Sequence, residues 1–413
     1  MFNATSMTTR IAVLMFAQYF AFGSWFVPLG VYMSKALGFD AIIGAAYGMA
    51  GIAAMVSTLF VGVVADRLFA AQRLMGVLML SGGISLLGAA NIHSSQTLFL
   101  AALLFHFIFV MASIPLGVSI AFAHLPEAEK KFPAVRAAGT VGWIVAGLTI
   151  GLWPGAAMTA GPMYLGAAVY LLGGLYAYTL PHTPPRAKGE PMTVMGLFGL
   201  DILKGNRDRL LWVFIFVLVM AGIPKKFYDS LLNNFLVEKG VALQAFGIVL
   251  ESTGVQTLGQ MIEALTLLIL PWVIARFGIK WVMVMGMAAW VVRYMLFAFG
   301  FTGNTAILWM VLLGIFMHGL CYDFFFVSGQ IWFDKRFDPA MRSRAQSLFN
   351  FLLSGTGVFI GANIAGAVYQ AATISKGVHD WQFVWLVPAA FCFGVLLFLL
   401  FFFKEKPASN KPN

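Results

Sequence analysis

Long apolar runs follow one another along almost the whole chain, separated only by short polar patches. A helix that crosses a bilayer needs ~20 mostly apolar residues. Twelve runs meet that need: 11–34, 41–64, 74–92, 97–122, 136–153, 162–180, 209–238, 244–274, 281–300, 305–333, 344–371 and 381–403. The longest polar stretch, 181–208, runs from Pro181 through Pro184, Pro185, Arg186 and Lys188 to Gly205 and Asn206, and it divides the runs six and six. The expected organisation is an N-terminal six-helix half (1–180), a cytoplasmic linker (181–208) and a C-terminal six-helix half (209–413).

Composition turns this pattern into a membrane protein. Hydrophobic residues make up 61% of the 413 positions and charged residues 10%, too few to cover a water-soluble surface. The fold class expected is an all-α integral membrane protein with the bilayer as its lipid partner. Basic residues outnumber acidic ones, and the net charge is +10. That charge sits on alternate loops, including Arg10, Arg67, Arg73, Lys130, Lys131, the linker, Arg276, Lys280, Lys335, Arg336, Arg342, Arg344 and Lys404. The opposite loops carry only Lys35, Lys239 and Lys376. The expected location is a bacterial inner membrane; the positive-inside rule places both termini on its cytoplasmic side and accounts for the charge without a nucleic-acid partner. The first apolar run is about twice as long as a signal-peptide core and lacks a small-residue cleavage site, so no cleaved signal peptide is expected. Cys321 and Cys392 both fall inside apolar runs. No disulfide, metal cluster or cofactor is indicated, and no nucleophile with a base points to an enzyme.

The polar residues inside the apolar runs carry the functional signal, because an ionisable group costs ~2.5–3.5 kcal/mol at the centre of a membrane helix. Helix 8 has Gln256, Gln260 and Glu263 on one face, with Glu251 off that stripe. Helix 10 has His318 and Tyr322 on one face, with Asp323 beside them. Glu263 and Asp323 each lie about ten residues, or ~15 Å, from the cytoplasmic ends of their helices, near the middle of a ~30 Å core. A carboxyl at that depth is stable when it is protonated or paired, which suits a proton carrier. The alternative is a structural pair with Arg293 on helix 9.

Helix 7 carries Pro224, Lys225, Lys226 and Asp229, and Pro224 should kink or break it. One lysine can pair with Asp229 along the helix while the other turns to a cavity. The competing reading has both lysines snorkelling to the outer interface. On helix 5, Arg136, Thr140 and Trp143 place a cation, a hydroxyl and an aromatic ring on one stripe, suited to a ring-bearing polar solute. An interfacial anchor followed by ordinary packing would give the same spacing.

Two six-helix halves around a central linker are the layout of the major facilitator superfamily, whose halves rock about a midplane site. The loop Gly62 to Leu68 resembles that superfamily's G-x-x-x-D-R signature, making Asp66 and Arg67 gating candidates; a solvated turn is the alternative. The segments GSWFVPLGVYM (23–33), FPAVRAAGTVGW (132–143), GLDI (199–202) and YDFFFVSGQIWFDKRFDPAMRSR (322–344) resemble the nucleoside:proton symporter family of that superfamily. WFVPL (25–29) and ADRLFAAQR (65–73) resemble a less characterised branch of it more closely. The resemblance implies substrate contacts from helices 5, 7, 8 and 10. By motif it assigns Arg136, Thr140 and Trp143, the last in place of a phenylalanine, and Gln260 and Glu263 to the solute, and it aligns Lys226 and Asp229 with two further contacts. His318 and Tyr322 join the candidate solute contacts through their shared face on helix 10, with Asp323 beside them. The resemblance ties proton coupling to Asp323, and its matching depth makes Glu263 a second candidate. Where Lys226 and Asp229 stand, the characterised permeases of the family have a glutamine and an asparagine. The expected function is therefore import of nucleosides or related glycosides by proton symport, with a small polar solute and a proton as partners. The alternative is a proton-coupled importer of sugars or sugar acids.

Overall fold

The computed structural model of the chain describes residues 4–60, 69–125, 127–185, 193–338 and 341–404. The loop holding Asp66 and Arg67 lies outside them. Every apolar run is helical over most of its length. The first six helices are α1 (Ala4–Phe26), α2 (Ile43–Phe60), α3 (Ala71–Ala90), α4 (Gln96–His124), α5 (Ala128–Gly151) and α6 (Gly161–Ala177). The next three are α7 (Arg209–Glu238), α8 (Ser252–Phe277) and α9 (Ile279–Ala298). α10 is interrupted, running as Leu308–Phe316, His318–Tyr322, a π-helical Asp323–Val327 and Ser328–Asp334. α11 joins Arg342–Asn350, a π-helical Phe351–Gly357 and Val358–Ala371, and α12 is Trp381–Phe402. Among the described residues, ten helices are long and apolar enough to cross a membrane, and the bent α10 makes eleven. The remaining apolar helix, α6, has 17 residues.

Three features depart from expectation, two of them through contacts that the apolar pattern does not carry. α8 starts at Ser252 rather than 244, because Leu243–Ala245 and Ile248–Leu250 pair as an antiparallel hairpin. Its turn uses positive φ at Phe246 and Gly247, and its second strand begins with two β-branched residues. Similar hairpins, Phe301–Thr302 with Thr305–Ala306 and Thr373–Ser375 with Val378–His379, precede α10 and α12. α10 bends by 42° at Met317. There the buried Arg293 of α9 donates from Nε to the Gly314 carbonyl at 2.8 Å. On the next turn, a Cβ on Gly319 would lie 1.8 Å from Thr266 Oγ1, so only glycine admits that threonine. Finally, α7 stays helical through Pro224, so of the kink or break expected there no break forms.

Small residues bring the two sets of six helices together at the end of the bundle that carries the hairpins. A Cβ on Gly44 of α2 would lie 2.8 Å from Gly366 Cα of α11, and one on Gly151 of α5 would lie 2.4 Å from Gly254 Cα of α8. Asn234 of α7 donates to the Gly30 carbonyl at 3.1 Å. Gly30 lies just beyond the break in helix 1 at Val27 and Pro28, where Tyr47 spans the gap. The Tyr47 hydroxyl accepts from Gly30 N and donates to the Phe26 carbonyl. Toward the other end of the bundle, Asp208 caps α7 and pairs with Arg336 at 3.0 Å, while Asp201 pairs with Arg344 at 2.9 Å. The linker is thereby tied to the ends of α10 and α11.

Candidate functional site

A cavity of about 370 Å³ lies between the two sets of helices, below the glycine contacts. α5 supplies Arg136, Thr140 and Trp143 to its wall, as the stripe predicts. They face inward because α5 turns small residues toward α1: a Cβ on Gly142 would lie 2.4 Å from the Phe16 carbonyl oxygen. α1 then adds Tyr19, Phe22 and Phe26 to the same wall. The Arg136 guanidinium sits 4.5 Å from the Tyr19 ring centroid, and Phe22 meets Trp143 edge-on at 5.5 Å. Sequence reasoning passed over these α1 residues, although positions 19, 22 and 26 share one helical face.

The facing wall is ionisable. Lys225, Lys226 and Asp229 come from α7, Gln260 and Glu263 from α8, and His318 and Tyr322 from α10. Lys225 Nζ lies 2.6 Å from Asp229 Oδ2, and Lys226 Nζ lies 3.5 Å from the same oxygen. Lys226 is 2% exposed, with its ammonium beside the rings of Phe26 and Tyr47 at 5.1 and 5.3 Å. It therefore turns into the cavity and does not snorkel outward. His318 Nε2 is 3.1 Å from Glu263 Oε2. Among the described residues its Nδ1 has no partner, which fits a neutral ring donating from Nε2. The ring stacks between Tyr228 and Tyr322, at 5.0 and 5.8 Å.

Asp323 departs from expectation. It is 1% exposed and lies behind the cavity wall, not on it. One position along a helix turns a side chain by ~100°, so Tyr322 faces the cavity and Asp323 faces α8. There Thr266 Oγ1 lies 2.6 Å from Asp323 Oδ2 and 2.9 Å from the Glu263 carbonyl oxygen. Arg293 does not pair with either acid. It is fully buried, held by the Gly314 and Ile315 carbonyls, and its guanidinium lies 4.1 Å from the Tyr228 ring. The carbonyls at the C-terminal end of the first α10 segment carry partial negative charge and stand in for a carboxylate. Gln256 also sits off the wall, accepting from Asn233 at 3.3 Å. Among the described residues, no group of three His, Cys, Asp or Glu could hold a metal ion, and both cysteines are free and buried.

Two helical sets enclosing a central polar cavity define a secondary carrier with the major facilitator fold. The chain belongs to the nucleoside proton symporter family, whose model, described as "Nucleoside H+ symporter", matches residues 5–408. It is similar to YegT of Escherichia coli (strain K12), 33% identical over 410 residues that cover 96% of this chain and 94% of that protein. It is also similar to the nucleoside permease NupG of the same organism, 31% identical over 406 residues that cover 96% of each chain. Among solved structures, the crystal structure of the nucleoside transporter NupG (D323A mutant) superposes with a TM-score of 0.88. That match has 28% identity and covers 96% of this chain and all of the other. The protein is thus a multi-pass membrane transporter of that family.

Proposed function

We propose that this protein imports nucleosides or related glycosides across the bacterial inner membrane by proton symport, without acting as an enzyme. In this reading 1–180 and 209–413 are two six-helix halves within the lipid bilayer, α6 is the twelfth span, and 181–208 is a cytoplasmic linker. Both termini face the cytoplasm, and no nucleic acid is involved. The hairpin end, closed by the glycine contacts, is the outer face, so this state presents its cavity inward. The solute lies between Arg136, Thr140 and Trp143 on one side and Lys226, Asp229, Gln260, Glu263, His318 and Tyr322 on the other. Asp66 and Arg67 act at the cytoplasmic gate.

One observation carries the proton assignment: Thr266 serves Asp323 in both of its protonation states. With Asp323 ionised, the Thr266 hydroxyl donates to Oδ2. Once Asp323 is protonated, its O–H donates to Thr266 Oγ1, whose own proton turns to the Glu263 carbonyl. The Thr266 hydroxyl thus keeps a partner for Asp323 Oδ2 in either state, as a buried proton site requires. Asp323 thus carries the proton, while the side chain of Glu263, whose own backbone supplies that carbonyl, meets the solute. The test is uptake of labelled uridine into proteoliposomes under an imposed pH gradient. Accumulation that follows the gradient and collapses with a protonophore supports symport, and gradient-independent equilibration contradicts it.

A further inference from the structure

The charges around the cavity do not balance. Three cationic side chains line it, Arg136, Lys225 and Lys226, against two carboxylates, Asp229 and Glu263. Both carboxylates already have partners, in Lys225 at 2.6 Å and His318 at 3.1 Å. Lys226 reaches Asp229 only at 3.5 Å, on the oxygen that Lys225 occupies. Arg136 has the face of Tyr19 and, among the described residues, no ion pair. Behind the wall, Arg293 and the ionised form of Asp323 add one charge of each sign and leave the excess unchanged in the proton-free carrier. A cation held at 2% exposure needs an anion, because two aromatic faces return less than burial of its charge costs.

Resting on the transport reading above, we propose that the transported solute is a monoanion, a nucleoside or glycoside bearing one carboxylate or similarly acidic group. This group sits against the Lys226 ammonium, with Arg136 supplying positive charge from the opposite half. The neighbours of Lys226 are built to hold it there. The Tyr47 hydroxyl is fixed by two backbone bonds at the helix 1 break, which presents its ring face to the ammonium. A consequence follows for energetics. The proton adds one positive charge to the loaded site and the solute removes it, so the carrier reorients with the same net charge loaded or empty. Uptake of one solute with one proton is then electroneutral.

The test uses the purified full-length protein and four probes: uridine, uridine 5′-carboxylate, glucose and glucuronate. By calorimetry, at least one acid binds about tenfold or more tightly than its neutral parent, as a charge-assisted contact gives. Lys226→Met removes that preference by weakening binding of the acid about tenfold more than binding of its neutral parent, and Lys226→Arg retains it. In proteoliposomes, uptake of the preferred acid follows the pH gradient and ignores a potassium diffusion potential set with valinomycin, a readout that needs no variant. Uridine binding as tightly as its carboxylate overturns the charge proposal and leaves the nucleoside reading standing. Preference for glucuronate with neither nucleoside bound upholds the charge proposal and overturns the nucleoside reading. A preference that survives in folded Lys226→Met, or uptake that responds to the potential, overturns the proposal, and failure of all four probes to bind overturns both readings.

Discussion

The two walls of the cavity are made of different material. The wall from the first six helices is aromatic, with Tyr19, Phe22, Phe26 and Trp143 around a single cation, Arg136. The wall from the last six carries two lysines, two carboxylates, a histidine and a tyrosine, backed by Asp323, Thr266 and Arg293. Rings fix the shape and orientation of a bound solute, whereas titratable groups hold and release protons. The contrast implies a division of labour: changes in either wall should alter how tightly the solute binds, but only changes in the second wall and the groups behind it should alter how transport is coupled.

The sharpest way to break that division is Asp323→Asn. An amide cannot cycle between charged and neutral forms, so proton-driven accumulation should fall to the level of empty vesicles. Counterflow exchange of preloaded solute, which needs no net proton movement, should persist. Loss of both activities in a folded variant would make Asp323 a structural residue. Glu263→Gln should come next. It replaces a charged acceptor by a neutral amide on the cavity wall, weakening binding by about tenfold to a hundredfold, the range of a lost charge-assisted hydrogen bond. Calorimetry gives the affinity and pH-gradient uptake the coupling, and a variant normal in both would remove Glu263 from the site.

How far these groups were legible in the sequence depended on whether their positions were set by one helix or by several. Helical spacing was enough to bring Arg136, Thr140 and Trp143 together, and to put Gln260 and Glu263 on one face. The same arithmetic, applied to adjacent positions, would have turned Asp323 away from Tyr322 and off the cavity wall. The α10 bend was not legible, because no proline causes it. It arises where Arg293 from α9 takes a backbone carbonyl and Thr266 from α8 packs on Gly319, contacts between residues far apart in sequence. Thr266 itself gave no signal, since a threonine in an apolar helix usually bonds its own backbone. The hairpin before α8 was hidden because a short apolar run with β-branched residues reads equally well as the start of a buried helix.

On the aromatic wall, Arg136→Ala should weaken binding of the preferred solute by about tenfold, through loss of a charged donor, with the dependence on the pH gradient unchanged. A flattened pH dependence in this variant would blur the two walls into one. The smallest expected effect, and the finest test of the division, is Thr140→Val. Its hydroxyl lines the cavity and, among the described residues, has no protein partner, so it is free to bond the solute. Valine keeps the volume and the β-branch, so packing of α5 against α1 is preserved and only one neutral hydrogen bond is removed. Such a bond contributes roughly 0.5–1.5 kcal/mol, so binding should weaken about threefold to tenfold, with melting temperature and proton coupling as in the wild type. Affinity within error of the wild type would mean that the solute does not reach this turn of α5, and that orientation on this wall falls to Trp143 and the α1 rings alone.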